Sequence, residues 1–152
     1  MVLNIGKTPG AGLAFYNRLQ NTLSLTRVVA RPDSMEAIRK RLLGSQRVIV
    51  VVTSDDYKKY KTMLDSLPAD LPVIYVFLMP LKSMLDMEGY WKKAAAVVLG
   101  HSDEYVIQEY VADVLVGKAV ADGRSSVAVA DLFKPGDGVT ITPKVSRIYR
   151  PE

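Results

Sequence analysis

The stretch Arg47-Val48-Ile49-Val50-Val51-Val52-Thr53 leaves this chain little freedom in how it folds. Consecutive β-branched residues lose side-chain freedom against the preceding turn of a helix, so the run favours a strand. It also lacks polar alternation, so neither face of that strand is suited to water, and both must be covered. Other apolar runs at residues 2–6, 23–30, 71–77 and 95–100 read as strands. Segments of helical spacing separate them: Leu13, Phe15, Tyr16 and Leu19; Met35, Ile38 and Leu42; Tyr57, Tyr60, Leu64 and Leu67; Leu81, Met84 and Leu85 behind Pro80; and Ile107, Val111, Val114 and Leu115. Asp33 with Glu36 has capping-box spacing, Ser54-Asp55 can cap the next helix, and Ser102-Asp103-Glu104 is an acidic helix start. Gly44 and Gly117 mark helix ends. Strands and helices in strict alternation predict an α/β fold, because parallel neighbours need crossover helices. The expected architecture is a three-layer α/β/α sandwich, flavodoxin-like, with a mostly parallel sheet of five or six strands. After Gly117 the rhythm changes: a turn at Gly123-Arg124, a short strand-like run at 127–129, a loop at 134–138 and an alternating run at 139–142 that returns to an edge. The organisation expected is one domain over residues 1–143 with a tail at 144–152.

Composition removes several classes of function. A chain of 152 residues, 49% hydrophobic and 24% charged, can bury a core without staples. There is no cysteine, which excludes disulfides and cysteine-based metal sites but leaves the compartment open. No apolar run approaches the ~18–20 residues of a membrane helix, so no membrane span is expected. The N-terminus has neither a basic leader nor an apolar signal core, and no signal peptide is expected. Opening directly on a strand suits a domain cut from a longer protein as well as a small natural one. The net charge is +4, but Arg39-Lys40-Arg41, Lys58-Lys59-Lys61 and Lys92-Lys93 are spread over helices. A nucleic-acid reader would cluster them, so these read as solvated helix faces and no nucleic-acid partner is expected.

In a parallel sheet ligands sit beyond the carboxyl ends of the strands. That directs attention to residues 6–12, 30–34, 53–56, 78–80 and 100–103. Gly6-Lys7-Thr8 falls short of a phosphate loop, since Met1 occupies the position where that loop needs its first glycine. Gly10-Ala11-Gly12 is not the dinucleotide fingerprint either, and the segment reads as a strand-to-helix turn. A phosphoacceptor site is not expected: the first strand ends in Asn4-Ile5-Gly6 without an acidic cluster, and the third ends in Thr53-Ser54. His101, the single histidine, ends the fifth strand and is suited to titrate near neutrality. No nucleophile motif accompanies it, which favours a cleft-lining, locally hydrogen-bonded role. Asp55 and Asp56 could form a carboxylate pair for glycoside chemistry. As neighbours in a helix's first turn they point apart, and capping accounts for them better. His101, Asp55 and Asp56 are thus the candidate cleft-lining residues, with no catalytic residue, metal ligand or cofactor assigned. Of the aromatic residues Tyr57, Tyr60, Tyr90, Trp91, Tyr105 and Tyr110, which could stack on sugars, most have helical spacing and read as core or interface. Tyr90-Trp91, after Gly89, is the candidate exposed patch for interdomain contact.

Gln108-x-x-x-Ala112-Asp113-Val114-Leu115-x-Gly117-Lys118, then Gly123-Arg124 and Val127, resembles the C-terminal domain of glycoside hydrolase family 3. Residues 131–139, Asp-Leu-Phe-Lys-Pro-Gly-Asp-Gly-Val, are similar to the exit in its bacterial β-N-acetylhexosaminidase-like branch. The pattern at 2–6 and 13–19 is similar to that branch's first strand and helix, and residues 47–53 to a family strand. Ser125-Ser126 stands where the family has Leu-Pro, and Val116 where Phe is common. The resemblance implies a two-domain enzyme in which an N-terminal (β/α)8 barrel supplies the nucleophilic Asp. In the β-glucosidase branch this domain supplies an acid/base Glu; residues 53–57 hold no glutamate. In the aminosugar branch the acid/base group lies on the barrel. The resemblance therefore implies a non-catalytic domain in carbohydrate metabolism that packs against the barrel and shapes the cleft for carbohydrate. It leaves sugar specificity, oligomeric state and compartment open, with a periplasmic, cell-surface or cytoplasmic parent all compatible. Two other readings stay open: a free-standing nucleotide- or flavin-binding module lined by residues 6–12 and His101, and a structural interaction domain using Tyr90-Trp91.

Overall fold

The computed structural model describes residues 1–68, 70–80, 96–100 and 102–118. The β-branched run forms β3 (Val48–Val52), buried at every position. It is the middle strand of a five-stranded, all-parallel sheet with β1 (Val2–Ile5), β2 (Arg27–Val29), β4 (Val73–Phe77) and β5 (Ala96–Leu99), in the order β2-β1-β3-β4-β5. Ile5 lies opposite Val52, Val52 opposite Phe77 and Phe77 opposite Leu99, so four strands end at one level.

The pleat sorts the apolar side chains into two layers. Leu3, Ile5, Val48, Val50, Val52, Tyr75 and Phe77 pack with Ile38 and Leu42 of α2 (Met35–Leu43) and Met63 and Leu64 of α3 (Lys61–Asp65). Val2, Ile49, Val51, Val76 and Val98 pack with Phe15 and Leu19 of α1 (Leu13–Leu19) and Val111, Ala112, Val114 and Leu115 of α4 (Tyr105–Leu115). The result is the expected three-layer, flavodoxin-like sandwich. Tyr75 and Phe77, two apart on one strand, stack with ring centroids 6.0 Å apart, and burial raises the Tyr75 hydroxyl's pKa. Among the described residues no helix is long and apolar enough to cross a membrane.

Local structure departs from the sequence expectation in three places. β2 is shorter than residues 23–30, because side chains of α1 hold the backbone ahead of it: the Tyr16 hydroxyl donates to the Leu25 carbonyl at 2.8 Å and Gln20 Oε1 accepts from the Leu25 N–H at 3.1 Å. The segment after β3 opens as a 3₁₀ turn, Asp55–Tyr60, before α3 begins. Ser54 caps that turn by accepting from the Asp56 N–H at 3.3 Å. The Asp33–Glu36 capping box does not form; Pro32–Ser34 is a separate 3₁₀ turn, and Glu36 faces Arg39 at 3.8 Å. The helix expected at 81–85, the turn and strand at 123–129, the exit at 131–139, the edge run at 139–142 and the tail at 144–152 lie outside the described residues.

The two helices on one face of the sheet share a polar seam. Gly12, the N-cap of α1, has no side chain to bind the helix's first N–H groups. Gln108 of α4 does so instead: its Oε1 accepts from the Phe15 N–H at 2.9 Å, and its Nε2 donates to the Asp103 carbonyl at 2.7 Å. One turn or so along, Arg18 meets Asp113 in a two-pronged pair, Nε to Oδ1 and Nη2 to Oδ2, both 3.0 Å, with Glu109 at 3.5 Å. Hydrogen bonding and charge from Asp113 raise the Arg18 pKa. Replacing Gln108 with Ala leaves the Phe15 N–H buried without an acceptor and is expected to cost about 1–3 kcal/mol in urea unfolding. Arg18→Ala, whose ion pairs face water, is expected to cost less; the reverse ranking would assign the seam to the ion pairs.

Candidate functional site

β1 and β3 are neighbours, yet the chain leaves β1 for the α1 layer and β3 for the α3 layer. Loops that part in this way open a crevice at the strand ends. A cleft of about 270 Å³ lies there, walled by residues 6–9 after β1, residues 29–32 at the end of β2, and Asp56, Lys59 and Tyr60 after β3.

The first wall is held by the strand beneath it. Asn4 is fully buried and its Nδ2 donates to the Ala11 carbonyl, while its Oδ1 has no partner among the described residues. Arg27 Nη2 donates to the Pro9 carbonyl at 2.6 Å and reaches the Ala11 carbonyl at 3.3 Å. Burial lowers the pKa of that guanidinium. Gly6 leaves no room for a side chain: a Cβ there would fall on Thr53 Oγ1 and 2.6 Å from Ala11 Cβ. The loop ends at Gly12 with φ 78, which favours glycine.

Charge in the cleft is uneven. Asp56 is engaged, 3.6 Å from Lys59 and accepting from the Ser54 hydroxyl at 3.2 Å. Lys7 and Arg31 line the cleft with no carboxylate partner among the described residues. The Tyr60 ring is buried, 4% exposed. Burial raises its pKa, with the charges of Asp56 and Asp33 adding to the effect, so the hydroxyl is a neutral donor. No group of three potential metal-ligating residues occurs among the described residues.

Of the sequence candidates, Asp56 lines this cleft. Asp55 heads the 3₁₀ turn, but its side chain lies outside the described set, as do His101, Tyr90 and Trp91. Tyr57 and Tyr60 are core residues, whereas Tyr105 is 75% exposed on α4. Sequence reasoning weighs Lys7 only within a phosphate-loop motif that it rejects and within the 6–12 lining of the alternative module, and it does not single out Arg31, Lys59 or Tyr60 as site residues. Lys7 and Arg31 fall in strand-end loops to which the alternation points. Lys59 and Tyr60 follow a helical pattern, and in the structure they close the 3₁₀ turn at the cleft.

Gly12→Ala is expected to cost at least about 1–2 kcal/mol of stability from the left-handed backbone alone, since a Cβ would also meet Asn4 Oδ1 at 2.6 Å. Gly10, where a Cβ would have nothing within 4 Å, is expected to accept Ala within about 0.5 kcal/mol. Thermal or urea unfolding of the pair measures the contrast. Compared with family models, curated proteins and solved structures, the chain matches none.

Proposed function

We propose that the chain is the non-catalytic C-terminal α/β domain of a bacterial family 3 glycoside hydrolase of the β-N-acetylhexosaminidase-like branch. In this reading it packs against a (β/α)8 barrel and shapes the cleft in which that barrel binds carbohydrate. The observation that carries the reading is the α1–α4 seam. Gln108, Ala112 and Asp113, which bear the resemblance, all serve packing: Gln108 binds the start of α1, Ala112 is 1% exposed in the core, and Asp113 pairs with Arg18. A motif occupied with holding helices together suits a domain whose chemistry is supplied elsewhere.

The strand ends agree with that division of labour. Retaining hydrolysis needs two carboxyl groups about 5 Å apart, one of them free to protonate the leaving group. Asp56 is tied to Lys59 and Ser54. The alternative, a free-standing nucleotide or flavin module, fits the position of the cleft but less well its volume. About 270 Å³ is below the ~300–1,000 Å³ of pockets for drug-sized ligands.

The chain alone is expected to release no chromophore from an aryl β-N-acetylglucosaminide above the buffer rate. Turnover well above background would overturn the non-catalytic assignment. The reading frame ahead of Val2 is expected to encode a (β/α)8 barrel, and a frame without one would overturn the domain assignment. Thermal shift with flavin mononucleotide and nucleotides separates the alternative, which requires a clear stabilisation.

A further inference from the structure

We propose that the strand-end cleft is a binding site for the dianionic phosphate group of a small ligand, held by Lys7, Arg31 and Tyr60 with Lys59 at the rim. The site is a property of this chain's own loops and holds whether or not the domain belongs to a larger glycosidase.

The first argument is convergence. Lys7, Arg31 and Lys59 come from segments after three different strands and line one cleft. Like charges brought together repel, and the fold gains nothing from them unless a counter-charge is present. Asp56 offsets Lys59 at 3.6 Å. Lys7 and Arg31 remain, two cations with no carboxylate within 4.0 Å among the described residues, which matches the charge of a phosphate better than that of a single carboxylate. Arginine adds the planar fork that pairs with two phosphate oxygens at once.

The second argument is independent of charge. Tyr60 lines the cleft with its ring buried, and its hydroxyl is not among the buried polar atoms that lack a partner, so its tip opens on the cleft. A tyrosine so placed presents an apolar body to the core and a polar tip to a ligand. A phosphate oxygen in the cleft would supply the acceptor, and the Thr8 hydroxyl on the facing wall offers a further donor. The volume, about 270 Å³, suits a phosphate with a small substituent.

Titrate the 152-residue chain with inorganic phosphate and with methyl phosphate at low ionic strength, following backbone amide shifts by NMR. Saturable shifts at residues 6–9 and 29–32 are expected, with a Kd of about 1 mM or tighter. Tighter binding of the ester would assign an organic phosphate, and tighter binding of inorganic phosphate the free ion; both support the site. Lys7→Gln combined with Arg31→Gln, at exposed positions, is expected to weaken binding at least about tenfold, and Tyr60→Phe several-fold. Lys40→Gln, on the exposed side of α2, should leave it unchanged. Failure to saturate below about 10 mM, shifts confined to other surfaces, or equal binding by the double variant would overturn the proposal.

Discussion

The buried amide of Gln108 is the contact on which the strand-end architecture rests. α1 has seven residues, too few to persist through its own hydrogen bonds, and it begins at a glycine that has no side chain to cap it. Gln108 reaches across from α4 to the Phe15 N–H and at the same time ties down the Asp103 carbonyl at the start of its own helix. Burying an amide is costly unless its groups are paired. Here both ends of the amide are paired, so the same group that would penalise a misplaced helix favours this one placement. Once α1 is placed, its N-terminal loop is placed too, and that loop is one wall of the cleft.

Beneath that wall the sheet contributes polar groups where a parallel sheet is otherwise apolar. Asn4 and Arg27 stand on adjacent strands and both reach the Ala11 carbonyl. They replace the regular ladder with side-chain bonds just where the backbone leaves the strand, and Gly6 and Gly12 let it pass close over Thr53 and Asn4. Loop shape is thus set by contacts from β1, β2 and β3 together, a more rigid support than the loop's own turns could provide.

How far this is legible in the sequence follows from which physical signal each part carries. β3 is plain because its burial on both sides is written in consecutive residues. The alternation of strands and helices then implies a parallel sheet, and the strand-end loops follow. Pairing partners distant in sequence carry no such mark: nothing near Gly12 announces that its cap is Gln108, and nothing near Ala11 points to Arg27. The segment after β3 reads as one helix because Tyr57, Tyr60 and Leu64 keep helical spacing in either form. It opens as a 3₁₀ turn capped by Ser54, and Lys59 and Tyr60 of that turn line the cleft. The aspartates draw attention as potential acids. In the structure Asp56 is spent on Ser54 and Lys59, and the uncommitted charge is cationic.

That reversal bears on what kind of chemistry the strand ends can support. General acid catalysis needs a carboxyl group poised to give up its proton near the working pH, usually through burial or a like charge beside it. Asp56 instead sits beside an ammonium and accepts a hydroxyl hydrogen bond. A carboxylate engaged in this way orients the neighbouring cation. Lys7 and Arg31 carry donors and no acceptor, the neutral Tyr60 hydroxyl can donate as well as accept, and donors arranged around a cleft stabilise negative charge. The anion site proposed for this cleft therefore draws on donors, and the proposed non-catalytic role asks nothing more of them. A non-catalytic role for the domain and a ligand site within it are compatible for that reason.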